Sequence, residues 1–461
     1  MTIKINLKDM KVNASFKDRD DIFFSASQII TDSRAIKENQ LFVPLKGENF
    51  DGHEYIDKAL KKNASACLYD PCAFNPESTD NRLYPVVNTR RAYQELSYLY
   101  RKQLHDTKII ALTGSSGKTT LKEILKLVLS EYGKTYATEK NFNNEIGVPK
   151  TLLSIEEDTT FGVVEMGARH LGDISPLVKI TSPDVVILTG VGSSHIGEFG
   201  SLENIYKTKL EILKDSAPGN LKIGPEDDPL ISDVLKKYPN HITVGKGEGA
   251  SIRIVSTKSA GDGMECEYLV NGSVIKVSLP FYHYALPINV GYVLATCHGL
   301  GMDLSKCLEA LSTFIGLEGR YQLFQRNGKS FVDDAYNANH DSMIMGLKSF
   351  HTSFDKTDSV LVLGDMLELG IDSKSMHEKV GAFVASNFKH AALVTVGPES
   401  KAIADGAEAG GFDISRIKKY PKYEDLLSDL ESLLNSSDCF YFKSSNGTGL
   451  HHIVKKIKDS Q

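Results

Sequence analysis

The sequence predicts an α/β protein with three domains, and three observations lead to that prediction. The chain has 461 residues, more than one hydrophobic core of ordinary size can hold, so two to four domains are expected. After residue 105, apolar runs alternate with amphipathic stretches, a pattern typical of a parallel, doubly wound sheet. A second such series follows the hinge-like segment Glu318-Gly319-Arg320. We therefore predict domains over residues 1–105, 106–317 and 318–461.

The composition is typical of a soluble globular protein and argues against several functional classes. There are 53 basic and 59 acidic residues, and the formal charge of -6 argues against a general nucleic-acid or membrane-surface binder. No segment approaches the ~18 apolar residues of a membrane span. The six cysteines include no pair with CxxC spacing, so reduced, buried thiols are favoured over disulfides or a zinc site. We expect a cytoplasmic protein with no nucleic-acid partner and no membrane insertion.

The first predicted domain has a small α/β pattern without obvious chemistry. Its strand-like runs and its one long helical stretch are Gln40–Leu45, Ala66–Tyr69, Tyr84–Val87 and Arg91–Gln103. Two polar clusters adjoin the apolar runs, Asp32-Ser33-Arg34 and Asp51-Gly52-His53. On residue chemistry alone, both clusters are typical of loops and turns.

The second predicted domain begins with the most informative segment of the chain. An apolar strand, Ile109–Leu112, leads into a tight turn, Gly114–Gly117, and Lys118 and Thr119 open an amphipathic helix. In such a turn, backbone N–H groups and the helix N-terminus surround phosphate oxygens. The lysine neutralises terminal phosphates, and the threonine hydroxyl can bind Mg²⁺. The segment therefore predicts a nucleotide site, with a plain strand–helix turn as the less favoured interpretation.

Further polar residues follow the next strands of this domain. Glu165 ends the run from Phe161, and His195 lies in the loop after Asp184–Leu188. Because ligands bind at the carboxyl ends of parallel strands, both belong to the edge that carries the phosphate turn. Glu165 is either a Mg²⁺ ligand or a solvated carboxylate, and His195 is either a second ligand or an ordinary loop residue. Lys209, taken alone, is typical of an exposed helical lysine.

The remaining patterns complete the expected architecture. Ser251–Ser256 and Cys266–Leu279 predict an antiparallel appendage on the second domain. The third domain shows four strand candidates separated by helical stretches: Ser330–Val332, Ser359–Leu363, Ala391–Val396 and Cys439–Phe442. It lacks a Gly-rich phosphate turn after its first strand. Asp333 and Asp334 follow that strand, where they could bind a ribose, bind a cation or cap a helix.

Taken together, these residues resemble the Mur ligases, which are ATP-dependent, amide-bond-forming enzymes of peptidoglycan precursor synthesis. The resemblance extends over nearly the whole chain and keeps the family's motif order. Its motifs are Thr113–Thr120, Asn141–Pro149, Glu165-Met-Gly167, Ser194-His195, Lys209-Leu-Glu211 and Gly319-Arg320. The resemblance implies a UDP-sugar-binding N-terminal domain, a central ATP-binding domain with a parallel sheet, and a Rossmann-like C-terminal domain.

Within the family, Asp333–Asn339 and Leu363–Gly370 resemble the ligase that adds D-alanyl-D-alanine to UDP-MurNAc-tripeptide. The Asp-Asn-Pro motif usual in the ligase that adds the third residue is absent. The resemblance implies formation of an acyl phosphate from ATP, giving UDP-MurNAc-pentapeptide, ADP and phosphate. Two alternatives stay open: a related ligase that uses diaminopimelate, lysine or glutamate, and a nucleotide-binding switch without ligase chemistry. We expect a monomer.

The resemblance also implies roles for individual residues. The catalytic residues would be Lys118, Glu165, His195 and Lys209. Mg²⁺ would be held by Thr119, Glu165, His195 and Lys209, the last as a carbamate. ATP would be bound by Gly114, Ser115, Ser116, Gly117, Lys118, Thr119, Thr120, Asn143, Asn144, Asn289, Arg320 and Asp334. The two other substrates would be contacted by Ser33, Arg34, Asp51, His53, Tyr336, Asn337 and Asn339. The chain departs from the usual pattern at Phe281–Tyr284, ahead of Asn289, so the expected adenine contacts are unusual.

Overall fold

The computed structural model describes residues 3–11, 20–76, 80–261, 263–354 and 358–460. Within these residues, three sheets of four, nine and six strands follow one another along the chain, beside a two-stranded antiparallel pair. The predicted α/β class is confirmed. Residue 105 lies between the four- and nine-stranded sheets, and residue 317 lies between the nine- and six-stranded sheets. Among the described residues, no helix has the length and apolarity needed to cross a bilayer.

The N-terminal region forms a small parallel sheet in the order β3-β4-β5-β6. Its elements are β1 (Ile5–Asn6), β2 (Phe23–Phe24), β3 (Ile29–Ile30), β4 (Leu41–Phe42), α1 (Ile56–Lys61), β5 (Ala66–Tyr69), β6 (Leu83–Pro85) and α2 (Thr89–Arg101). The α2 helix begins two residues earlier than predicted because the Asn88 side chain accepts a hydrogen bond from Arg91 N at 3.0 Å and so caps the helix. Its buried face continues the core shared with the central domain.

The central region carries the nine-stranded sheet. Its strands are β7 (Lys108–Thr113), β8 (Thr135–Ala137), β9 (Phe161–Glu165), β10 (Val185–Leu188), β11 (Leu221–Pro225), β12 (His241–Gly245), β13 (Ile252–Ala260), β14 (Gly263–Val270) and β15 (Ser273–Leu279). Its helices are α3 (Lys118–Ser130), α4 (Gly147–Leu153), α5 (Ile174–Thr181), α6 (Ile196–Phe199), α7 (Leu202–Lys209), α8 (Glu211–Lys214), α9 (Pro229–Leu235), α10 (Leu286–Gly299) and α11 (Leu304–Ser312).

Strand order explains why the polar loops of this domain converge. The order is β15-β14-β13-β12-β11-β10-β7-β9-β8, and the pairs from β8 to β13 are parallel. The β7 strand therefore lies between β9 and β10, so the loops after all three strands meet at one edge. The predicted appendage is antiparallel, but it extends the central sheet. The segment Cys266–Leu279 is two strands rather than one because Asn271 and Gly272 turn the chain with φ of 47° and 78°.

The C-terminal region forms the six-stranded sheet in the order β16-β17-β21-β18-β19-β20, with β16 antiparallel. Its elements are β16 (Gln322–Arg326), β17 (Lys329–Asp334), α12 (His340–Phe354), β18 (Val360–Gly364), α13 (Ser373–Asn387), β19 (Ala392–Val396), α14 (Lys401–Ala409), β20 (Ile417–Tyr420), α15 (Tyr423–Ser428), α16 (Leu430–Leu434), β21 (Cys439–Lys443) and α17 (Leu450–Asp459). The β17, β21 and β18 strands are almost wholly buried, as expected for a parallel sheet covered by helices.

Candidate active site

The turn after β7 has the backbone shape of a phosphate-binding loop. Gly114 and Gly117 have φ of 152° and 82°, which side-chain-bearing residues rarely adopt. A Cβ on Gly114 would lie 1.9 Å from Thr189 Oγ1, so the loop also requires glycine for close packing. Lys118 Nζ donates a hydrogen bond to Gly114 O at 2.7 Å and folds back over the loop. The lysine amine and the N-terminus of α3 therefore lie side by side at the turn, where both favour a bound anion.

The loop after β10 supports the phosphate loop from one side. Ser115 N donates to Gly190 O at 3.0 Å, and Thr189 Oγ1 donates to Ser116 O at 2.8 Å. Tyr292, from α10, donates its hydroxyl to Thr189 O at 3.0 Å. These bonds hold the phosphate loop against the loop after β10.

Glu165, Thr119 and Asn143 form the oxygen-rich part of the site. Thr119 Oγ1 donates to Glu165 Oε2 at 3.1 Å, and Asn143 Nδ2 donates to Glu165 Oε1 at 2.9 Å. Glu165 is buried, with 3% of its surface exposed. Hard cations such as Mg²⁺ prefer oxygen ligands, so the Thr119–Glu165 pair fits such an ion. The described residues contain no group of three or more His, Cys, Asp and Glu side chains arranged to hold a metal.

Lys209 is buried at the end of α7, with 2% of its surface exposed. Burial and, to a smaller extent, repulsion from Lys118 together lower the pKa of its amine to about 7, against weaker attraction by acidic neighbours including Glu165. The interpretation of Lys209 as a surface lysine was therefore wrong. Because much of the amine is uncharged near neutral pH, it can act as a nucleophile.

His195 occupies a strained position at the start of α6, with φ of 59°. Burial lowers the pKa of its imidazole, and the neighbouring Glu368 carboxylate partly offsets that effect. Nδ1 of His195 lies in contact with Oε2 of Glu368, which belongs to the C-terminal domain. The electrostatic influence of Lys118 and Lys209 on the ring places His195 in the same cleft.

A cavity of about 340 Å³ adjoins the phosphate loop on the side of the β10 loop. Its lining combines aromatic rings, aliphatic side chains and two carboxylates, including Thr189, Gly190, Asp227, Asp228, Met264, Tyr282, Tyr284, Pro287, Ile288 and Tyr292. Asn289 lies between the cavity-lining Ile288 and the loop, since a Cβ on Gly117 would lie 3.3 Å from its Oδ1. Its Nδ2 is buried without a hydrogen-bond partner among the described residues. Sequence reasoning found Asn289 but did not predict a cavity lined by tyrosines and aspartates, since the aspartates follow β11 and two of the tyrosines precede α10.

The C-terminal domain is docked over the loop after β10. Asn339 Nδ2 donates to Ser194 Oγ and, at 3.3 Å, to Ser116 Oγ. Asp341 accepts hydrogen bonds from Ser193 N and from Ser193 Oγ, both at 3.1 Å. The structure thus brings Asn339 directly to the phosphate loop. Sequence reasoning missed Asp341, because an acidic residue in the first turn of a helix such as α12 is common and carries no functional signal by itself.

Two of the predicted nucleotide ligands, Arg320 before β16 and Asp334 at the end of β17, are held in different ways. Arg320 lies over the Tyr336 ring, 4.3 Å from its centroid, and is half-buried. Asp334 accepts hydrogen bonds from Tyr321 N at 3.1 Å and from Tyr441 OH at 3.0 Å, and pairs with Lys443 at 2.7 Å. Arg320 therefore keeps free donors, whereas the Asp334 carboxylate is engaged in shaping the hinge.

The other predicted residues lie in all three domains. Thr120 is in the first turn of α3, Asn144 Oδ1 accepts from Gly147 N at 2.9 Å, and Asn337 O accepts from Lys443 at 3.2 Å. In the N-terminal domain, Ser33 and Arg34 lie in a turn, where Ser33 is half-buried and Arg34 is exposed. Asp51 and His53 form a rigid pair there, with Asp51 Oδ1 2.6 Å from Nδ1 of the buried His53.

The sequence of this chain is similar to those of known proteins along most of its length. Three family models match the chain: "Mur ligase family, catalytic domain" over residues 26–101, "Mur ligase middle domain" over 112–296 and "Mur ligase, glutamate ligase domain" over 319–446. A Bacillus subtilis protein, named UDP-N-acetylmuramoyl-tripeptide–D-alanyl-D-alanine ligase, is 31% identical over 94% of this chain and 93% of its own length. The chain belongs to the Mur ligase family. A Synechocystis Mur ligase of the same name is 33% identical over 94% of this chain and 92% of its own length.

Solved Mur ligase structures share the arrangement of the whole chain. A MurF ligase from Thermotoga maritima, in complex with ADP, has a TM-score of 0.83 at 28% identity and covers 94% of this chain and 97% of its own. MurF from Acinetobacter baumannii has the same TM-score and identity, with coverage of 94% and 93%. The Mur ligase resemblance found in the motifs is thereby confirmed.

Proposed function

We propose that this chain joins D-alanyl-D-alanine to UDP-MurNAc-tripeptide at the cost of ATP, giving UDP-MurNAc-pentapeptide, ADP and phosphate. The observation that carries the proposal is the single cleft in which the Lys118 phosphate loop, the Thr119–Glu165 oxygen pair and the docked C-terminal domain meet. It is supported by relatives whose names state this activity and which match nearly the whole chain.

The chemistry requires activation of the tripeptide carboxylate, because its negative charge repels an amine. Transfer of the γ-phosphate from ATP to a carboxylate oxygen gives an acyl phosphate with a good leaving group, and ADP departs. The D-alanyl-D-alanine amine then attacks the acyl carbon, and inorganic phosphate leaves. Lys118 and the loop N–H groups after Thr113 offset the negative charge on the transferred phosphate. Closure of the C-terminal domain excludes water, which would hydrolyse the acyl phosphate.

ATP would lie along the edge formed by the loops after β7 and β10. The phosphates would contact Gly114 to Thr120, and the base would enter the cavity beside Asn289, whose free Nδ2 is a donor for a ring nitrogen. Arg320 would reach the nucleotide with its free guanidinium donors. Asn143 would orient Glu165, as its 2.9 Å hydrogen bond indicates. An ADP complex of a structural relative supports a nucleotide in this cleft.

Thr119 and Glu165 would hold Mg²⁺, with His195 and a carbamylated Lys209 as further residues of the metal site. A bound Mg²⁺ would supply charge neutralisation for the phosphates. The pKa of about 7 at Lys209 supports carbamylation, because an uncharged amine can attack CO₂. The product is an anion, which relieves the burial of a cation beside Lys118.

The other substrates would approach from the outer domains. Ser33, Arg34, Asp51 and His53 would serve the UDP-sugar end in the N-terminal domain. Tyr336, Asn337 and Asn339 would lie near the incoming dipeptide, on the C-terminal side of the cleft. We further propose a cytoplasmic monomer, in keeping with a cleft that one copy of the chain completes.

A phosphate-release assay with a panel of amines tests this function. UDP-MurNAc-tripeptide and ATP are supplied with D-alanyl-D-alanine, other D-dipeptides, diaminopimelate, lysine or glutamate. We expect release above background with D-alanyl-D-alanine and a pentapeptide product by mass spectrometry. Preference for a single amino acid would assign the chain to another ligase type, and release indifferent to the UDP-sugar would leave only a nucleotide hydrolase.

A further inference from the structure

Glu368 links the C-terminal domain to two loops of the active-site edge. It belongs to the segment between β18 and α13. Its Oε1 lies 3.3 Å from Arg169, in the loop after β9, and its Oε2 contacts Nδ1 of His195, in the loop after β10. Since β9 and β10 flank the phosphate-loop strand, this one carboxylate from another domain spans both sides of the phosphate site.

The backbone at this contact is strained on both sides. His195 and Glu368 are non-glycine residues with φ of 59° and 64°. Gly197 N donates to Glu368 O at 3.2 Å, and a Cβ on Gly197 would lie 2.9 Å from Gly370 N. The left-handed backbone conformation costs free energy at a non-glycine residue, so it persists only where surrounding contacts hold the backbone in that shape. The two loops are therefore shaped for each other at this place.

The contact between His195 and Glu368 affects which ring nitrogen of the histidine carries the proton. Nδ1 is buried and has no aligned hydrogen-bond partner among the described residues, yet it lies against the Glu368 carboxylate. A small rotation of either side chain aligns the pair. A carboxylate accepts a hydrogen bond from Nδ1–H, so the proton of the neutral ring stays on Nδ1 and the lone pair is left on Nε2. Apart from Glu368, the described part of the chain offers Nδ1 of His195 no hydrogen-bond partner.

We propose that Glu368 is a positioning residue that, when the C-terminal domain docks, fixes His195 in the Nδ1-protonated tautomer with Nε2 free as an acceptor or ligand. Domain closure is thereby coupled to the state of a residue on the central domain. The proposal rests on the proposed function in placing His195 at the reacting phosphates, but the tautomer itself is independent of turnover.

The test combines ¹⁵N NMR of the histidine side chains with kinetics on full-length protein. The His195 signals are assigned by their loss in His195→Gln. In wild-type protein with ADP, we expect a protonated Nδ1 and a lone pair on Nε2. In Glu368→Ala, we expect the Nε2-protonated form or a mixture, and a kcat lower by roughly ten- to a hundredfold, as is usual for residues that orient a ligand. Glu368→Gln keeps an acceptor and should lie between the two.

Glu198→Ala is the matched control, because Glu198 lies in the neighbouring α6 with its Oε2 3.9 Å from Nε2 of another histidine, His170. It should leave the His195 tautomer and kcat as in wild type. The same His195 tautomer in wild type and Glu368→Ala, or an unchanged kcat in Glu368→Ala, overturns the proposal. Retained ADP binding shows that a variant is folded. If wild-type protein lacks ligase activity, the proposed function fails while the NMR comparison still decides the role of Glu368.

Discussion

Burial of the Lys209 side chain changes the protonation of its amine and therefore its reactivity. The helix α7 presents Ile205, Thr208 and Lys209 to the interior, so the lysine follows the spacing of a buried helical face. An ammonium group buried beside Lys118 is costly, and the pKa of about 7 at Lys209 expresses that cost. Lysine side chains are almost never fully buried unless they are paired with an opposite charge.

Replacing Lys209 should therefore separate activity from stability. In Lys209→Ala we expect loss of ligase activity, with partial recovery when short carboxylic acids that mimic a carbamate are added. Lys209→Met, which fills the space without a charge, should be inactive but as stable as wild type or more so. Phosphate release with and without added acid measures the first effect, and thermal unfolding measures the second. Near-normal activity of Lys209→Ala without added acid would contradict the assigned role.

At the scale of elements, the phosphate loop depends on glycine for two separate reasons, backbone angle and space. At Gly114 both apply, whereas Gly301, at the end of α10, has φ of 69° and no atom within 4 Å of an added Cβ. A side chain at Gly301 would therefore test backbone strain alone, whereas one at Gly114 would test strain together with a steric clash.

We expect Gly114→Ala to lose nucleotide binding and to be less stable than Gly301→Ala by roughly 1–3 kcal/mol, the usual cost of overpacking. Gly301→Ala should cost only the left-handed backbone energy of roughly 1–2 kcal/mol and should bind ADP normally. Calorimetric ADP titration and urea unfolding measure both. Equal stability of the two variants would show that the β10 loop yields to the new side chain.

The β11 strand carries a second buried lysine, away from the reacting groups. Lys222 has 0% of its surface exposed; its amine donates to Ala217 O at 3.2 Å and lies 4.5 Å from the Tyr238 ring centroid. Burial lowers the pKa of Lys222 to about 8. Below that pH, both folded and unfolded states are protonated, and the full cost of burying the charge is present.

The contribution of Lys222 to the free energy of unfolding should therefore rise with pH. Between pH 8 and about 10.5 the unfolded state binds one more proton than the folded state, so the cost is progressively relieved. Lys222→Met should be more stable than wild type by roughly 1–3 kcal/mol at pH 7, with the difference shrinking toward pH 10. Urea unfolding at several pH values measures it. A difference that does not change with pH would mean that the pKa of Lys222 is the same in the folded and unfolded states.

At the scale of the whole molecule, docking of the C-terminal domain completes the site. The contacts of Asn339, Asp341 and Glu368 all reach the loop of residues 193–195. That loop also supports the phosphate turn, so domain position and nucleotide site are physically continuous. A ligase that makes a water-sensitive acyl phosphate requires such a link.

Removing one docking contact should open the molecule without destroying its domains. In Asp341→Ala, we expect a larger radius of gyration with ADP bound than in wild type, together with a lower kcat. Small-angle X-ray scattering and phosphate release measure the two effects. Asp438→Ala is the control, since Asp438 pairs at 3.0 Å with Lys329 of its own domain. Identical scattering of Asp341→Ala and wild type would contradict this role for the docking contact.

The sequence predicted what local patterns encode and missed what only tertiary packing creates. Alternating apolar runs predicted the α/β class, and the spacing from Gly114 to Thr119 predicted the phosphate turn. Lys209 taken alone indicated a surface residue, because burial of its helix depends on neighbours far along the chain. Glu368 lay within a motif of the family resemblance but had no assigned role, since its partners come from two other loops. The role of each predicted site residue stays a prediction.

The central claim, that ATP activates the tripeptide carboxylate as an acyl phosphate, is tested most directly by isotope transfer. UDP-MurNAc-tripeptide labelled with ¹⁸O in its reacting carboxylate is incubated with the protein, ATP and D-alanyl-D-alanine. The account predicts inorganic phosphate that carries one ¹⁸O atom per molecule of pentapeptide formed, because the carboxylate oxygen that attacks ATP leaves with the phosphate. Pentapeptide formation with unlabelled phosphate would contradict it.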